Sequence, residues 1–167
     1  MPRLIELTDG VAAFADDGFV NVSDDDAIPS AGDVILSLNR FQAEGATLLD
    51  AGRRVGVRLE PAEEVEALAY DLPRLAVVAL VYPKFRDGRA FTSARLLRER
   101  LGFTGQVRAV GEVLREQAGL MVRCGFDAFE PADGATPAEW ETAVHRFRHV
   151  YQRAADDRQV AFEERGA

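Results

Sequence analysis

The segment Tyr82–Ser93 holds the residues of this sequence that are best suited to chemistry. It combines cations with a glycine, hydroxyl side chains and the start of an expected helix, whose first N–H groups lack partners. Basic side chains and free N–H groups together bind anions, so the segment predicts a site for a small anion. The residues expected to bind it are Lys84, Arg86, Gly88, Arg89 and Ser93. The alternative is a polar surface loop in which Arg86 pairs with Asp87.

Three residues are candidates for catalysis, although no motif of fixed spacing identifies them. Lys84 is the only lysine in the chain, and its compact ammonium can act as a point charge or as a base. Asp87 suits a turn at least as well as catalysis. Glu112 could contact Lys84 or Arg108, which is a further expected anion ligand, or it could favour the start of a helix through its charge.

Neither a metal nor a cofactor is evident from the sequence. Cys124 is the only cysteine, and its position before Gly125 at an expected helix end favours a buried thiol over an activated nucleophile. His145 and His149 follow Glu141 at four-residue spacings that can bind a metal on a helix, but the usual zinc motif is missing. Phosphate-loop, dinucleotide-binding, flavin, iron–sulfur, siroheme and nicotinamide signatures are also missing.

Short apolar runs alternate with amphipathic segments from residue 34 onward, which is typical of βαβ units. The expected strands are Val34–Leu38, Val55–Leu59, Leu75–Val81, Gln106–Val110 and Phe126–Phe129. The expected helices are 40–51, 62–70, 91–101, 112–124 and 137–160. We therefore expect an α/β fold with a mostly parallel five-stranded sheet, doubly wound as in Rossmann and flavodoxin-like folds. A partial barrel of the TIM type is the alternative.

The length of 167 residues fits a single domain. We expect a small irregular or β extension over residues 1–33, a βα core over 34–131 and a C-terminal helix over 136–160. In the extension, two apolar segments flank Asp16-Asp17-Gly18, which predicts a small hairpin of Val11–Phe14 and Phe19–Val22. Thr136, Pro137 and Glu139 form the pattern that begins a capped helix.

The net charge of −8 predicts that the molecule as a whole repels nucleic acid and anionic membranes. No apolar run approaches the length of a membrane span, and the N-terminus lacks the apolar core of a signal peptide. We therefore expect a cytoplasmic protein with neither a nucleic-acid nor a membrane partner. The charge is uneven, because residues 84–123 contain nine basic and four acidic side chains. Basic charge is thus concentrated around the expected anion site.

The sequence Tyr-Pro-Lys-Phe-Arg-Asp-Gly-Arg at Tyr82–Arg89 resembles a bacterial family of unknown function, whose members are described as probable oxidoreductases of sulfite reduction. The likeness continues through Ser93–Arg98, Gly105, Arg108–Gly111 and Arg123–Asp127, and covers about residues 30–131. The sequence departs from the family pattern in having Glu112 where aspartate is usual. The resemblance implies a role in assimilatory sulfate reduction beside a siroheme sulfite reductase, but it identifies no catalytic residue.

Three hypotheses for function follow. The first is an oxyanion-binding accessory or oxidoreductase-associated component of sulfite reduction, with sulfite, sulfate or a phosphate-like anion as the ligand. The second is a non-catalytic docking or assembly subunit of the siroheme sulfite reductase. The third is an isomerase or lyase that acts on a small anionic metabolite, with Lys84 as the base and arginines as the clamp. The oligomeric state is left open.

Overall fold

Eight strands form one mixed sheet in the computed structural model, which describes residues 3–156 and 158–165. Their bounds are β1 Ile5–Thr8, β2 Val11–Phe14, β3 Phe19–Asn21, β4 Asp33–Ser37, β5 Val55–Leu59, β6 Val77–Tyr82, β7 Gln106–Gly111 and β8 Ala128–Phe129. The order across the sheet is β2-β1-β8-β7-β6-β5-β4-β3. The α/β class is confirmed, but the expected five-stranded parallel sheet is wrong.

The doubly wound arrangement is also wrong, because strands β3 to β8 are parallel and lie side by side in chain order. Each connection leads to the next strand on the same side of the sheet. Because such connections between parallel strands are right-handed, they place every connecting helix on the same face. A doubly wound sheet requires a reversal of direction, which these six strands lack. Accordingly, Val78, Leu80 and Tyr82 pack in the main core, whereas Val77 and Ala79 belong to a separate cluster on the other face.

The sheet is strongly curled, because a short link joins its two edges. Strands β2 and β3 lie at opposite edges and are connected by residues 15–18 alone, which we call the crossing link. Seven strand spacings would separate the edges of a flat sheet by about 34 Å, whereas the chain from Phe14 to Phe19 reaches at most about 18 Å. The sheet must therefore fold into a half-barrel, which supports the partial-barrel alternative.

The N-terminal hairpin is formed by a different pair of strands from the predicted one. Strand β1 pairs with β2 in antiparallel register around Asp9 and Gly10, whose φ angles are 51° and 81°. Positive φ at both central residues is typical of a two-residue hairpin turn whose twist matches that of the strands. The prediction of a hairpin around Asp16-Asp17-Gly18 is wrong because its two arms lie at opposite edges of the sheet.

Four predicted helices differ from the observed ones in extent. The predicted helix 62–70 is replaced by a 3₁₀ turn, Val65–Leu68, and a second 3₁₀ turn follows at Leu72–Arg74; together they bury Val65, Leu68 and Leu72 over a short span. The predicted helix 112–124 is a 3₁₀ turn, Arg115–Gln117, followed by α4, Ala118–Cys124. The predicted helix 91–101 begins earlier, as α3 at Arg89–Arg95, and continues as a π-helical segment at Leu96–Arg100. The predicted helix 40–51 begins earlier, at Leu38, and comprises α1 Leu38–Arg40, a π-helical segment Phe41–Gly45 and α2 Ala46–Asp50.

The long C-terminal helix is wrong beyond its first two turns. Its predicted start is confirmed: Thr136 and Glu139 form a capping box, and α5 is Pro137–Val144. The chain then leaves the helix at His145 and folds back, so that Val150 pairs with Val160 before the short helix α6, Ala161–Glu164. A straight helix would hold those two valines about 15 Å apart, so their burial together requires the turn.

Arg98 joins the loops at the N-terminal ends of β7 and β8. Its guanidinium donates hydrogen bonds to the carbonyl oxygens of Phe103, Gly105 and Gly125 and to the carboxylate of Asp127, at 2.7–2.9 Å. Asp127 in turn accepts from the backbone of β7. Several residues of the sequence resemblance therefore stabilise the fold at the end of the sheet opposite to the Tyr82–Ser93 segment.

In the part of the chain that the structure describes, every helix is too short or too polar to traverse a bilayer.

Candidate functional site

The Tyr82–Ser93 segment comprises the last residue of β6, an exposed loop at residues 83–88 and the first residues of α3. Strand β6 ends at Tyr82, whose ring is fully buried against Phe91 and Phe126. Pro83 follows and cannot donate to the sheet, and a turn then closes with the Asp87 N–H donating to the Lys84 carbonyl at 2.8 Å. The buried tyrosine thus anchors a loop whose other side chains face solvent.

Two side chains from the neighbouring connection hold this loop through the backbone of Phe85. The carboxylate of Glu112 accepts from the Phe85 N–H at 2.9 Å, and the amide of Gln117 donates to the Phe85 carbonyl at 2.8 Å. The Glu112 N–H also donates to the Tyr82 carbonyl at 2.7 Å. Glu112, a catalytic candidate, therefore lies at the expected place but contacts the backbone rather than Lys84 or Arg108.

Arg89 is occupied by an ion pair within the loop. Its guanidinium donates two hydrogen bonds to the carboxylate of Asp87, at 2.6 and 2.9 Å, and its backbone N–H contacts the same carboxylate. These hydrogen bonds lower the pKa of Asp87 to about 2. Asp87 is therefore anionic at neutral pH and orders the turn, and the pairing of Arg86 with Asp87 considered from the sequence is replaced by one with Arg89.

The Asp87–Arg89 pair predicts a measurable titration. A carboxyl whose pKa is lower in the folded state stabilises the fold above its unfolded pKa, and that stabilisation disappears as the pH falls through the folded value. We expect an NMR titration midpoint near pH 2 for Asp87, and a higher midpoint in Arg89→Ala, in which only the backbone N–H of residue 89 still donates to the carboxylate. Arg86→Ala is the matched control and should leave the midpoint unchanged; a shift of equal size in both variants would contradict the assigned pair.

Lys84 and Arg86 differ from Arg89 in that no carboxylate among residues 3–156 and 158–165 pairs with them. Both side chains are exposed on the turn that Glu112 and Gln117 hold. Gly88 precedes α3, and the Ser93 hydroxyl, one turn into that helix, makes a long 3.4 Å contact with the Arg89 carbonyl. Five of the six expected anion ligands thus lie in one segment, as their positions in the sequence require, and two of their cations are exposed without a carboxylate partner among the described residues.

Arg108, the sixth expected ligand, lies on the other face of the sheet. Its neighbour in the register is Ala79, and its guanidinium is 1% exposed beneath the crossing link. It donates to both oxygens of Asp17, at 2.6 and 3.1 Å, and also to Glu130 and Gln106. Burial raises the pKa of Glu130, and the nearby Arg108 opposes that change. Arg108 therefore holds the crossing link inside the half-barrel, apart from the loop.

The structure gives Cys124, His145 and His149 contacts that do not form a reactive or metal-binding site. Cys124 is buried, and burial raises the pKa of its thiol, so the thiol form is favoured. His145 contacts the Gly10 carbonyl and His149 pairs with Glu164, whereas Glu141 accepts from the backbone of Ala12. The helical spacing considered for a metal is lost because α5 ends at Val144.

Sequence reasoning missed Gln117 and the role of Phe85 as the point where the loop is held. No local signal marks either, because their contact joins residues separated by 32 positions. The hairpin around Asp9-Gly10, by contrast, had a signal, since Asp-Gly between two apolar runs predicts a two-residue turn.

The comparisons with known proteins give one family. A family model described as a bacterial protein of unknown function (DUF934) matches residues 56–162, which is more than half of the chain. The match begins later than the likeness seen in the sequence and includes the C-terminal region that the likeness left out. No curated protein matches the sequence.

Proposed function

The chain belongs to this bacterial family of unknown function, and we propose that it is an accessory protein of sulfite reduction that binds an anionic group through Lys84 and Arg86. The proposal that the loop binds an anion rests on which of its cations pair with a carboxylate. Arg89 is neutralised by Asp87, whereas Lys84 and Arg86 are exposed on a turn held by Glu112 and Gln117. The pathway is supported by the resemblance of Tyr82–Arg89 alone.

A held turn with two cations suits an oxyanion for a physical reason. Binding a charged ligand costs less when the groups that contact it are already positioned, and charge-assisted hydrogen bonds are about twice as strong as neutral ones. Sulfite, sulfate and phosphate offer several oxygens that a lysine and an arginine can share. A role as an isomerase or lyase gains less support, because a lysine that acts as a base is usually desolvated, whereas Lys84 is exposed.

The exposure of these cations favours a second candidate function, in which the anionic group belongs to the surface of a partner protein. Exposed cations steer and orient charged partners more than they capture small ligands from water. In that case the loop would dock on acidic side chains of the siroheme sulfite reductase. Docking predicts co-purification that weakens with salt and is lost in Lys84→Glu, whereas a purely small-ligand site predicts no such complex.

The anion site predicts the effect of single substitutions. We expect Lys84→Ala and Arg86→Ala each to lower the affinity for sulfite or sulfate by about tenfold or more, since a hydrogen bond to a charged group contributes about 1.5–3 kcal/mol. Thermal shift against sulfite, sulfate and phosphate measures this, with an expected stabilisation of about 2.7 kcal/mol at a hundredfold excess of ligand over Kd in the unaltered protein. Arg100→Ala is the matched control, because Arg100 is exposed outside the loop, and it should retain binding. Equal loss in all three variants, or none in Lys84→Ala and Arg86→Ala, would contradict the site.

Growth of a deletion strain tests the pathway independently of the ligand. We expect the strain to grow poorly with sulfate or sulfite as the sole sulfur source, and to grow normally with sulfide or cysteine. Rescue by sulfite would place the defect before sulfite reduction, and normal growth on sulfate would remove the proposed role altogether.

A further inference from the structure

A groove of about 590 Å³ lies between α4, α5 and the segment that folds back after α5. Gly119 and Leu120 contribute from α4, and Ala143 contributes from α5. Residues 146–147 and 149–152 form most of the remaining wall. None of the residues that line this groove belongs to the Tyr82–Ser93 segment, so its use does not depend on the function proposed for the loop.

Large apolar side chains at the groove face solvent. Leu120, Phe147 and Tyr151 are 54%, 71% and 78% exposed, although the chain buries most of its other large apolar side chains. Contiguous exposed apolar surface of this kind marks binding sites in water-exposed proteins. The backbone that carries these side chains is held in place, because Arg158 donates to the carbonyl oxygens of Phe147 and Arg148, and Val150 pairs with Val160.

The rim of the groove is basic. Arg146 and Arg158 line it, and within the described residues neither contacts a carboxylate. Arg123 also lines it but is paired with Asp156, and Glu116 is the acidic side chain of the lining. A chain with a net charge of −8 thus presents a locally basic, apolar surface here. The complement of such a surface is a segment that combines carboxylates with large apolar side chains.

We propose that this groove binds an acidic segment of a partner protein, with one or more large apolar side chains inserted between Leu120, Phe147 and Tyr151 and carboxylates facing Arg146 and Arg158. Insertion removes apolar surface from water on both sides, and the flanking charges set orientation and association rate. An anionic membrane is the less suitable occupant, because its extended surface would also face other parts of a chain whose net charge is −8, whereas a short segment contacts the basic groove alone.

Site-specific photo-crosslinking in the source cell tests the proposal with the full chain. A photoreactive residue at Tyr151 samples the groove, and one at Tyr70, which is 89% exposed elsewhere on the surface, is the matched control. We expect Tyr151, and not Tyr70, to yield one cross-linked protein whose attached peptide is rich in Asp or Glu and contains apolar residues. Equal products at both positions, a peptide without acidic residues, a second copy of this chain, a lipid, or no product would each overturn the proposal.

Binding of the captured segment as a synthetic peptide gives the second measurement. We expect Phe147→Ser and Arg146→Glu each to weaken its affinity at least tenfold, and higher salt to weaken it further. Tyr70→Ser and Lys84→Ala should leave the affinity unchanged, which separates this surface from the anion loop. Since Phe147 and Arg146 are exposed, their replacement should preserve the fold, and circular dichroism would verify this. Unchanged affinity in both groove variants would overturn the assignment.

Discussion

Replacing Arg108 with methionine is expected to lower the free energy of unfolding by about 1.5–3 kcal/mol, because the change removes the buried cation that holds two partly exposed carboxylates. Arg108 is 1% exposed and holds both Asp17 and Glu130. Methionine keeps much of the volume, so the loss arises from charge and hydrogen bonding rather than from a cavity. Urea unfolding of the purified protein, followed by circular dichroism, measures the change.

The pH dependence of the same variant gives a second expectation. In the unaltered protein, Arg108 opposes the burial that raises the pKa of Glu130. Without Arg108, the pKa of Glu130 in the folded state rises further above its unfolded value. Since an acid with a raised folded pKa destabilises the fold as pH rises through that range, the loss should be larger at about pH 8 than at about pH 5.

Arg58→Met is the matched control, because Arg58 lies two strands away in the same row of the same face. Its side chain is 41% exposed and meets Glu60 only at 3.8 Å. We expect a change of less than about 0.5 kcal/mol. Similar losses in the two variants would show that the Arg108 contacts do not hold the crossing link.

Replacing Gly111 with alanine is expected to destabilise the protein by about 3 kcal/mol or more. Gly111 has a φ of +94°, which costs a residue with a side chain about 1–2 kcal/mol. A Cβ there would also lie 2.4 Å from the Tyr82 carbonyl oxygen, which is backbone and cannot rotate away. That oxygen accepts from the Glu112 N–H, so relief of the overlap would disturb the connection that holds the Phe85 loop.

Two measurements separate the overlap from the backbone conformation alone. Gly134→Ala is the matched control, because Gly134 has a φ of +70° and open space where a Cβ would lie, and it should cost only about 1–2 kcal/mol. Hydrogen exchange at the Phe85 amide should accelerate in Gly111→Ala and stay unchanged in Gly134→Ala. Equal losses of stability in both variants would show that the overlap of the new Cβ with the Tyr82 carbonyl oxygen does not cause the destabilisation.

The strands of the core could be predicted from the sequence, whereas their order could not. The apolar run in Leu75–Val81 and the β-branched Val55–Leu59 carry local signals of buried strands. The direction in which successive strands add to a sheet has no local signal, because both a doubly wound sheet and a barrel use the same βα units. The sequence shows that few residues separate β2 from β3. This short connection indicates a curled sheet only when β2 and β3 are known to lie at opposite edges.

The candidate loop could be located from its composition, because cations, proline and glycine after a buried strand are local features. Which cations are available could not be predicted in this way. The Asp87–Arg89 pair depends on the local turn, and the contacts of Glu112 and Gln117 with Phe85 cross 27 and 32 residues. The sequence groups Arg108 with the loop because of its positive charge. Its position on the opposite face of the sheet depends on the register of β6 and β7, which has no local signal in the sequence.

The pairing of β1 with β8 has a consequence for biosynthesis. Strand β1 leaves the ribosome before its partner Phe129, which is made about 120 residues later, and this interval takes roughly 6–24 s at bacterial and eukaryotic translation rates. Strands β3 to β7 can meanwhile assemble in the order of their synthesis. The nascent chain therefore carries an unsatisfied strand edge during this interval, and chaperone demand should fall when the codons between β1 and residue 129 are translated faster.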